Sequence, residues 1–340
     1  MARAGVLVVD KPRGHTSAAV VAHVRTRLRG IKAGHTGTLD PLATGVLPIC
    51  LGDACKLAGL FIAEDKSYLA ELELGVATDS YDAEGEVVAT DDVAAGRLDP
   101  ATVAAALAGF VGVQVQRPPR FSAVKVGGRR LHALARAGED VEAPERTVTI
   151  HRAELVEWLG PGPAGRPRLR IAVDGSKGTF VRTLVHDLGQ RLGCGAHLTE
   201  LRRTRSGPFE LAMAVELGGL TPGRAAAALV PMAKAVGLPS WTVDEAMVPR
   251  IARGEPLYLG SLSRVPAATR FQVVDEQGDL LAVVERGIDR LAYVRVLITQ
   301  DQAAARAAAA AAEPLVNPAE PLVDPLDEAS ALARAGAAEA

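Results

Sequence analysis

Cysteine is scarce in this chain, with Cys50, Cys55 and Cys194 the only three in 340 residues. An odd number with no Cys-x-x-Cys pair supports neither a disulfide framework nor a zinc site. Cys50 and Cys194 sit among apolar or small residues and read as core, which fits a reducing cytoplasm. Long apolar runs are missing too: outside its alanine tracts the chain has no 18-residue span, and no signal peptide opens it. No membrane association is therefore expected. Nor is there an excess of charge of either sign, since the formal net charge is -2 and would not by itself suggest a nucleic-acid partner. Finally, no Gly-Lys-Ser/Thr opens a helix, so a P-loop is excluded.

The near-neutral sum hides a segregation of charge. From residue 301 onward seven acids face only Arg306 and Arg334. Between 166 and 205, nine bases face Asp174, Asp187 and Glu200. A basic stretch of that kind suits phosphate contact, because each neutralised phosphate releases counterions.

The richest segment is Gly34-His35-Thr36-Gly37-Thr38-Leu39-Asp40-Pro41-Leu42-Ala43-Thr44-Gly45, followed by the apolar run Val46 to Leu51. Glycines at this density let a backbone adopt positive φ and approach a ligand closely. Asp40 cannot be an ordinary helix residue, because the proline after it favours extended geometry. Taken physically, the loop is either a connection with Asp40 capping a turn or the seat of a reacting carboxylate. Composition does not choose between them.

Around this loop the pattern predicts mixed strands and helices without regular βαβ alternation, an α+β fold. Gly5 to Val9 forms a strand, and Ser17 caps a helix over 18–29 with Val20, Val21, Val24 and Leu28 on one face. Val46–Leu51 is a buried strand, and 68–74 alternates as a half-buried one. Asp99-Pro100 starts a helix, and Val181, Leu184, Val185, Leu188 and Leu192 trace another that Gly193 stops. Residues 117–146 stand apart as a proline-bounded basic arm with Gly127-Gly128 as its turn, turning acidic at Glu139-Asp140. A boundary falls near Gly237. Beyond it, Asp244 begins a short helix to about Arg253, and strands flanking Asp275-Glu276-Gln277-Gly278 build a β-rich module over 238–299. The tail 300–340 has no apolar stripe to bury and is expected to be disordered or loosely helical.

The segment GHTGTLDPLATGVLPICLG closely resembles the catalytic motif of the TruB family of tRNA pseudouridine synthases. Further blocks resemble that family in order. Lys11-Pro12-Arg13-Gly14-His15-Thr16-Ser17 is similar to its KPxGxTS motif, and Lys66-Ser67-Tyr68 with Leu74 to Asp82 to its KxY…LGxxTDTxD block. Pro118 to Lys125 is similar to PPxxSAxK, Ser176 to Leu184 to SKGTYIRTL, and Gly195 to Arg203 to GAHxxxLRR.

The resemblance implies a mixed, mainly antiparallel central sheet over 1–237, a PUA-like RNA-binding module over 238–299, and isomerisation of uridine 55 in the T-loop of tRNA. It implies no cofactor and no metal, a monomer, and an arm that grips the T-stem and loop. Asp40 would be the nucleophile, Arg182 its ion-pair partner, and Tyr68 the residue that stacks on the base and moves its proton. His35 would fill the gap left by the flipped uridine, which recovers part of the lost stacking. Leu201 and Phe180 would line the pocket and Lys56 would lie near it, while Arg120, Lys125, Arg129, Arg130, Arg202 and Arg203 would contact RNA. Phe180 stands where the family has tyrosine, and His132 replaces another in the arm. Two other readings stay open: a non-catalytic RNA-binding or RNA-folding protein, and a same-fold synthase acting on another RNA. So does the point of attack, ribose or uracil ring.

Overall fold

The computed structural model describes residues 4–312 except 132, 133, 135, 136 and 140. His132, Arg136 and Asp140 of the arm and the tail from 313 onward lie outside the described residues. The central sheet orders its main strands as Val215–Glu216, Gly5–Lys11, Thr44–Leu51, Ala196–Ser206, Lys66–Leu74, Pro167–Gly175, Arg146–Pro161 and Gly112–Gln116. Neighbours run antiparallel except at two places. Val215–Glu216 pairs parallel to the first strand, and Arg202 and Arg203 pair parallel to Thr44 and Gly45. The sheet is thus mixed and mainly antiparallel, as the motifs imply.

Local chemistry explains the helix ends. Thr16 accepts from the Ala19 N–H and starts the helix Ser17–Arg27. Asp99 caps Pro100–Ala108, with the proline in the first turn where its missing N–H costs nothing. The helix Val181–Leu192 stops at Gly193, whose φ of 74° is the left-handed conformation glycine adopts without strain. Its apolar face (Val181, Leu184, Val185, Leu188) packs on Leu72, Leu74, Ile171 and Leu198 in the main core.

A second sheet orders Ser240–Thr242, Arg270–Val274, Leu280–Arg286, Arg290–Val296 and Leu257–Tyr258. It shares a core with the first: Val8, Cys50, Leu57, Phe61 and Phe209 pack with Val274, Leu280, Val283 and Leu297. Two expectations need correction here. The helix expected from Asp244 covers only Val248–Ala252, because Asp244 accepts from the Met247 N–H in a preceding turn. The tail does not begin disordered or loose. Gln300–Ala312 is a helix, with Ala303 buried against the second sheet and Arg306 paired to Asp275 and Asp279. An alanine needs little space to close a core, so no conventional apolar stripe marks this contact. Among the described residues no helix is long and apolar enough to cross a membrane.

Candidate active site

The Asp40 loop is fastened at several points. Thr36 is buried and donates its N–H to the Pro48 carbonyl (3.1 Å). The Ser17 hydroxyl takes the Leu39 N–H (2.8 Å) and donates to the Leu39 carbonyl (3.1 Å). The Pro41 carbonyl accepts from Gly14 N–H (2.8 Å) and from Lys11 Nζ (3.3 Å). Lys11 is fully buried, and burial pulls its ammonium down to about 8. Leu39 and Leu42, on either side of Asp40, are both buried. Gly45 closes the loop at φ 100°, and a Cβ there would lie 2.2 Å from the Arg203 carbonyl oxygen. The glycine is required by this close backbone approach.

Asp40 therefore projects from a loop with little freedom, and it meets Arg182. Arg182 Nη2 lies 3.0 Å from Asp40 Oδ2, and Nη1 lies 2.9 Å from Asp82 Oδ2. The same guanidinium donates to the carbonyls of Ser80 (3.1 Å) and Phe121 (2.9 Å). Arg182 and Asp82 are buried, whereas a third of the Asp40 side chain (34%) is exposed. Burial pushes the Asp40 carboxyl above the usual carboxylate range, while Arg182 pulls it back; Asp82 adds to the rise and Lys11 to the fall. Asp82 is itself held by the Ser80 hydroxyl (2.7 Å) and the Glu84 N–H (3.0 Å). A buried guanidinium with carboxylates on two sides leaves one of them facing outward, an arrangement that presents a fixed carboxylate to a bound substrate. Asp82 was not among the expected site residues, although it ends the block Leu74 to Asp82.

Tyr68 lies half-buried at the edge of the main core, near enough to Arg203 to act on its charge. Arg203 corrects an expectation. It is 1% exposed, donates from Nε to the Val46 carbonyl (2.7 Å) and from Nη2 to the Gly37 carbonyl (3.2 Å), and so braces the loop from beneath instead of facing RNA. Its strand enters the sheet beside Thr44 and Gly45, which carries the side chain inward. Arg202 grips Asp10 through both nitrogens (2.7 and 3.2 Å) and stays partly exposed. Lys56 is not drawn to the Asp40 loop. It pairs with Asp53 (2.9 Å) and donates to the Leu297 carbonyl (3.0 Å), fastening the second sheet.

His35 ends a short strand, Ala33–His35, opposite Ile49, half-buried at the mouth of the loop. Leu201 is buried and pairs with Ala70 across the sheet. Phe180 precedes the Arg182 helix, exchanges hydrogen bonds with the Gln116 side chain (2.9 and 3.2 Å), and packs against Val124, Leu131 and Ala143 of the arm. The arm itself carries a hairpin, Lys125–Val126 with Arg129–Arg130, turned by Gly127 and Gly128 at φ 56° and 83°. Arg120, Lys125 and Arg129 are exposed; the Arg130 side chain lies outside what the structure describes. Arg129 pairs with Glu139 (2.8 Å), and Arg117 with Glu142 (3.2 Å) and Glu145 (2.9 Å).

Two family descriptions match: the TruB family pseudouridylate synthase N-terminal domain over residues 25–181, and the tRNA pseudouridylate synthase B C-terminal domain over residues 182–227. The chain is 52% identical over 251 residues to tRNA pseudouridine synthase B of Symbiobacterium thermophilum, covering 74% of this chain and 82% of that one. It is 44% identical over 307 residues to the protein of the same name from Ectopseudomonas mendocina, covering 87% and 95%. Among solved structures, a chain in the archaeal box H/ACA sRNP Nop10-Cbf5 complex is similar, with a TM-score of 0.63 and 25% identity over 88% of each chain. With relatives this similar over most of their length and the motif loop built around Asp40, the chain belongs to the TruB family of pseudouridylate synthases.

Proposed function

We propose that this chain isomerises uridine 55 in the T-loop of tRNA to pseudouridine, with Asp40 as nucleophile. The observation that carries the reading is the Asp40–Arg182 contact at 3.0 Å, with Arg182 buried and Asp40 partly open. The reaction breaks the N1–C1′ bond, turns the uracil, joins C5 to C1′ and transfers the C5 proton to solvent as N1 gains one. No atom is gained or lost. Such a sequence needs a group that attacks and later leaves, and a carboxylate suits it. Arg182 favours the ionised Asp40 against the burial that raises its carboxyl, in a site dry enough to hold the free base. In this reading Tyr68 stacks on that base and His35 fills the vacated stack.

The RNA is gripped by the arm 117–146 and by the module 238–299, read as a PUA-type domain. In support, the exposed arginines of the arm sit in ion pairs with glutamates, and exposed pairs are worth about 0–1 kcal/mol each, so phosphates can replace the carboxylates. The relatives' name, tRNA pseudouridine synthase B, supports tRNA as the substrate. Asp40 and Arg182 come from one chain, so a monomer carries the whole pair. Tritium release from tRNA labelled at uracil C5 tests the reading. Wild type should release the label at position 55 and Asp40→Asn should not; full activity in Asp40→Asn would sink the nucleophile assignment.

A further inference from the structure

Among the described residues Tyr81 is one of three non-glycine positions with positive φ, at 66°, and it lies between Ser80 and Asp82, which both hold Arg182. Left-handed backbone is disfavoured for a bulky side chain and persists only where the surroundings enforce it. The enforcement is visible. The Tyr81 N–H donates to the Thr78 carbonyl (3.2 Å), and its carbonyl accepts from the Leu198 N–H (3.0 Å). Its ring stacks on His186, with centroids 3.9 Å apart and planes 16° from parallel. His186 lies one helical turn beyond Arg182, so both residues project from the same side of one helix.

The turn Ser80–Asp82 is therefore attached to that helix twice: by Arg182 to the Ser80 carbonyl and the Asp82 carboxylate, and by the Tyr81 ring to His186. With Tyr81 left-handed, the flanking residues both turn oxygens towards one guanidinium. Burial pulls the His186 imidazole down, and its Nδ1 has no hydrogen-bond partner, so the ring is a neutral stacking surface at pH 7.

We propose that Tyr81, through its stack on His186, is a positioning residue that holds the Ser80–Asp82 turn against Arg182 and thereby sets the grip of Arg182 on Asp40. The inference rests on the proposed role of Asp40 for its effect on rate, but not for its effect on the Asp40 carboxyl. The charged groups acting on that carboxyl are Arg182, Asp82 and Lys11. Once the turn loosens, Arg182 loses fixed acceptors and its hold on Asp40 weakens, while the burial that raises the carboxyl remains.

The test follows Asp40 directly by carbon-13 NMR of aspartate-labelled protein, its signal assigned with Asp40→Asn, alongside turnover. In Tyr81→Ala, Asp40 should titrate at higher pH than in wild type, and kcat should fall about tenfold or more with KM within about twofold, since small misplacements cost rate. Tyr81→Phe keeps the stack and should match wild type in both. His186→Ala removes the stack without touching the turn, so it should move Asp40 in the same direction even if Tyr81→Ala folds poorly. An unmoved Asp40 titration in His186→Ala, or wild-type kcat in Tyr81→Ala, overturns the proposal. A moved titration in protein whose wild type shows no isomerase activity would sink the nucleophile reading and leave the positioning role standing.

Discussion

Asp40 and Asp82 share the guanidinium of Arg182 at 3.0 and 2.9 Å, yet their side chains are 34% and 5% exposed. One carboxylate anchors the arginine and the other is offered to the cleft. The charge balance of the site, and most of its measurable behaviour, follows from that asymmetry.

Replacing Asp40 separates function from stability. Burial raises its carboxyl in the folded chain, so any stabilisation from that site is present below the unfolded value and is lost as pH rises through the folded one. Above the folded value the ionised side chain weighs against the fold. Asp40→Asn should therefore melt at the wild-type temperature or above it, because Arg182 keeps Asp82, while turnover falls about a thousandfold or more. Thermal melts at pH 7 beside tritium release check both; a large drop in melting temperature would contradict the charge argument.

Arg182 and Asp82 should move the acid limb of the pH–rate profile in opposite directions. Arg182→Met removes the largest influence pulling Asp40 down, so the limb shifts to higher pH in whatever activity survives. It also strands Asp82, and breaking a buried pair in this way costs about 3–5 kcal/mol. Asp82→Asn removes a like charge while the Ser80 carbonyl still holds Arg182, so the limb shifts to lower pH. Profiles of kcat against pH for the two variants decide the matter, and a shift of the same sign in both would refute this electrostatic account.

Gly45→Ala should damage both fold and loop. The added carbon meets the Arg203 carbonyl and nitrogen, both backbone atoms, at a positive φ. A loss of about 2–4 kcal/mol in urea unfolding is expected, in the upper range for single substitutions. Gly14→Ala is the contrast: its φ is also positive, at 79°, but nothing lies within 4 Å of the added carbon, so its cost should be smaller.

The arm makes a salt-dependence prediction. If glutamates and phosphates compete for the same arginines, Glu139→Gln with Glu142→Gln and Glu145→Gln should tighten binding to a T-stem–loop RNA. Arg117→Ala or Arg129→Ala should weaken it and reduce the slope of log affinity against log salt by about 1 each. Fluorescence anisotropy across a salt series reads both; a slope unchanged in either arginine variant removes that residue from the RNA contact.

Arg306→Ala should lower the melting temperature, because it leaves Asp275, which is 2% exposed, without its cation. Truncation after residue 299 should lower it further by removing Ala303 from the second core. An unchanged melting curve in both would mean that the helix Gln300–Ala312 does not support the fold.

What could be read from the chain depended on how far apart the interacting groups lie in it. Asp99 and Gly193 announce helix ends because a cap acts on residues three or four positions away, whereas the cap expected at Ser17 falls to its neighbour Thr16. In the long strand Arg146–Pro161 no sustained alternation is legible, because bulges at Ile150–Arg152, Leu155–Glu157 and Trp158–Gly160 break it. The buried contact of the helix at 300–312 left no mark in the sequence because the residue that makes it, Ala303, is an alanine.

The sequence by itself determined the family motifs, the mixed fold and the Gly-flanked loop around Asp40, and through the family resemblance it implied the pairing of Asp40 with Arg182. Motif residues keep their chemistry in any register the chain adopts, and this one spells them in order. Only the tertiary structure decided that Asp82 is the second partner of Arg182, that Arg203 is buried beneath the loop, and that Lys56 fastens the second sheet. Each contact joins segments distant in the chain, Arg182 to Asp82 across 100 residues and Arg203 to Val46 across 157. Nothing local tells an arginine whether its strand will turn it outward to phosphate or inward to a carbonyl. That choice belongs to the register between Thr44–Leu51 and Ala196–Ser206, which is set when the sheet closes.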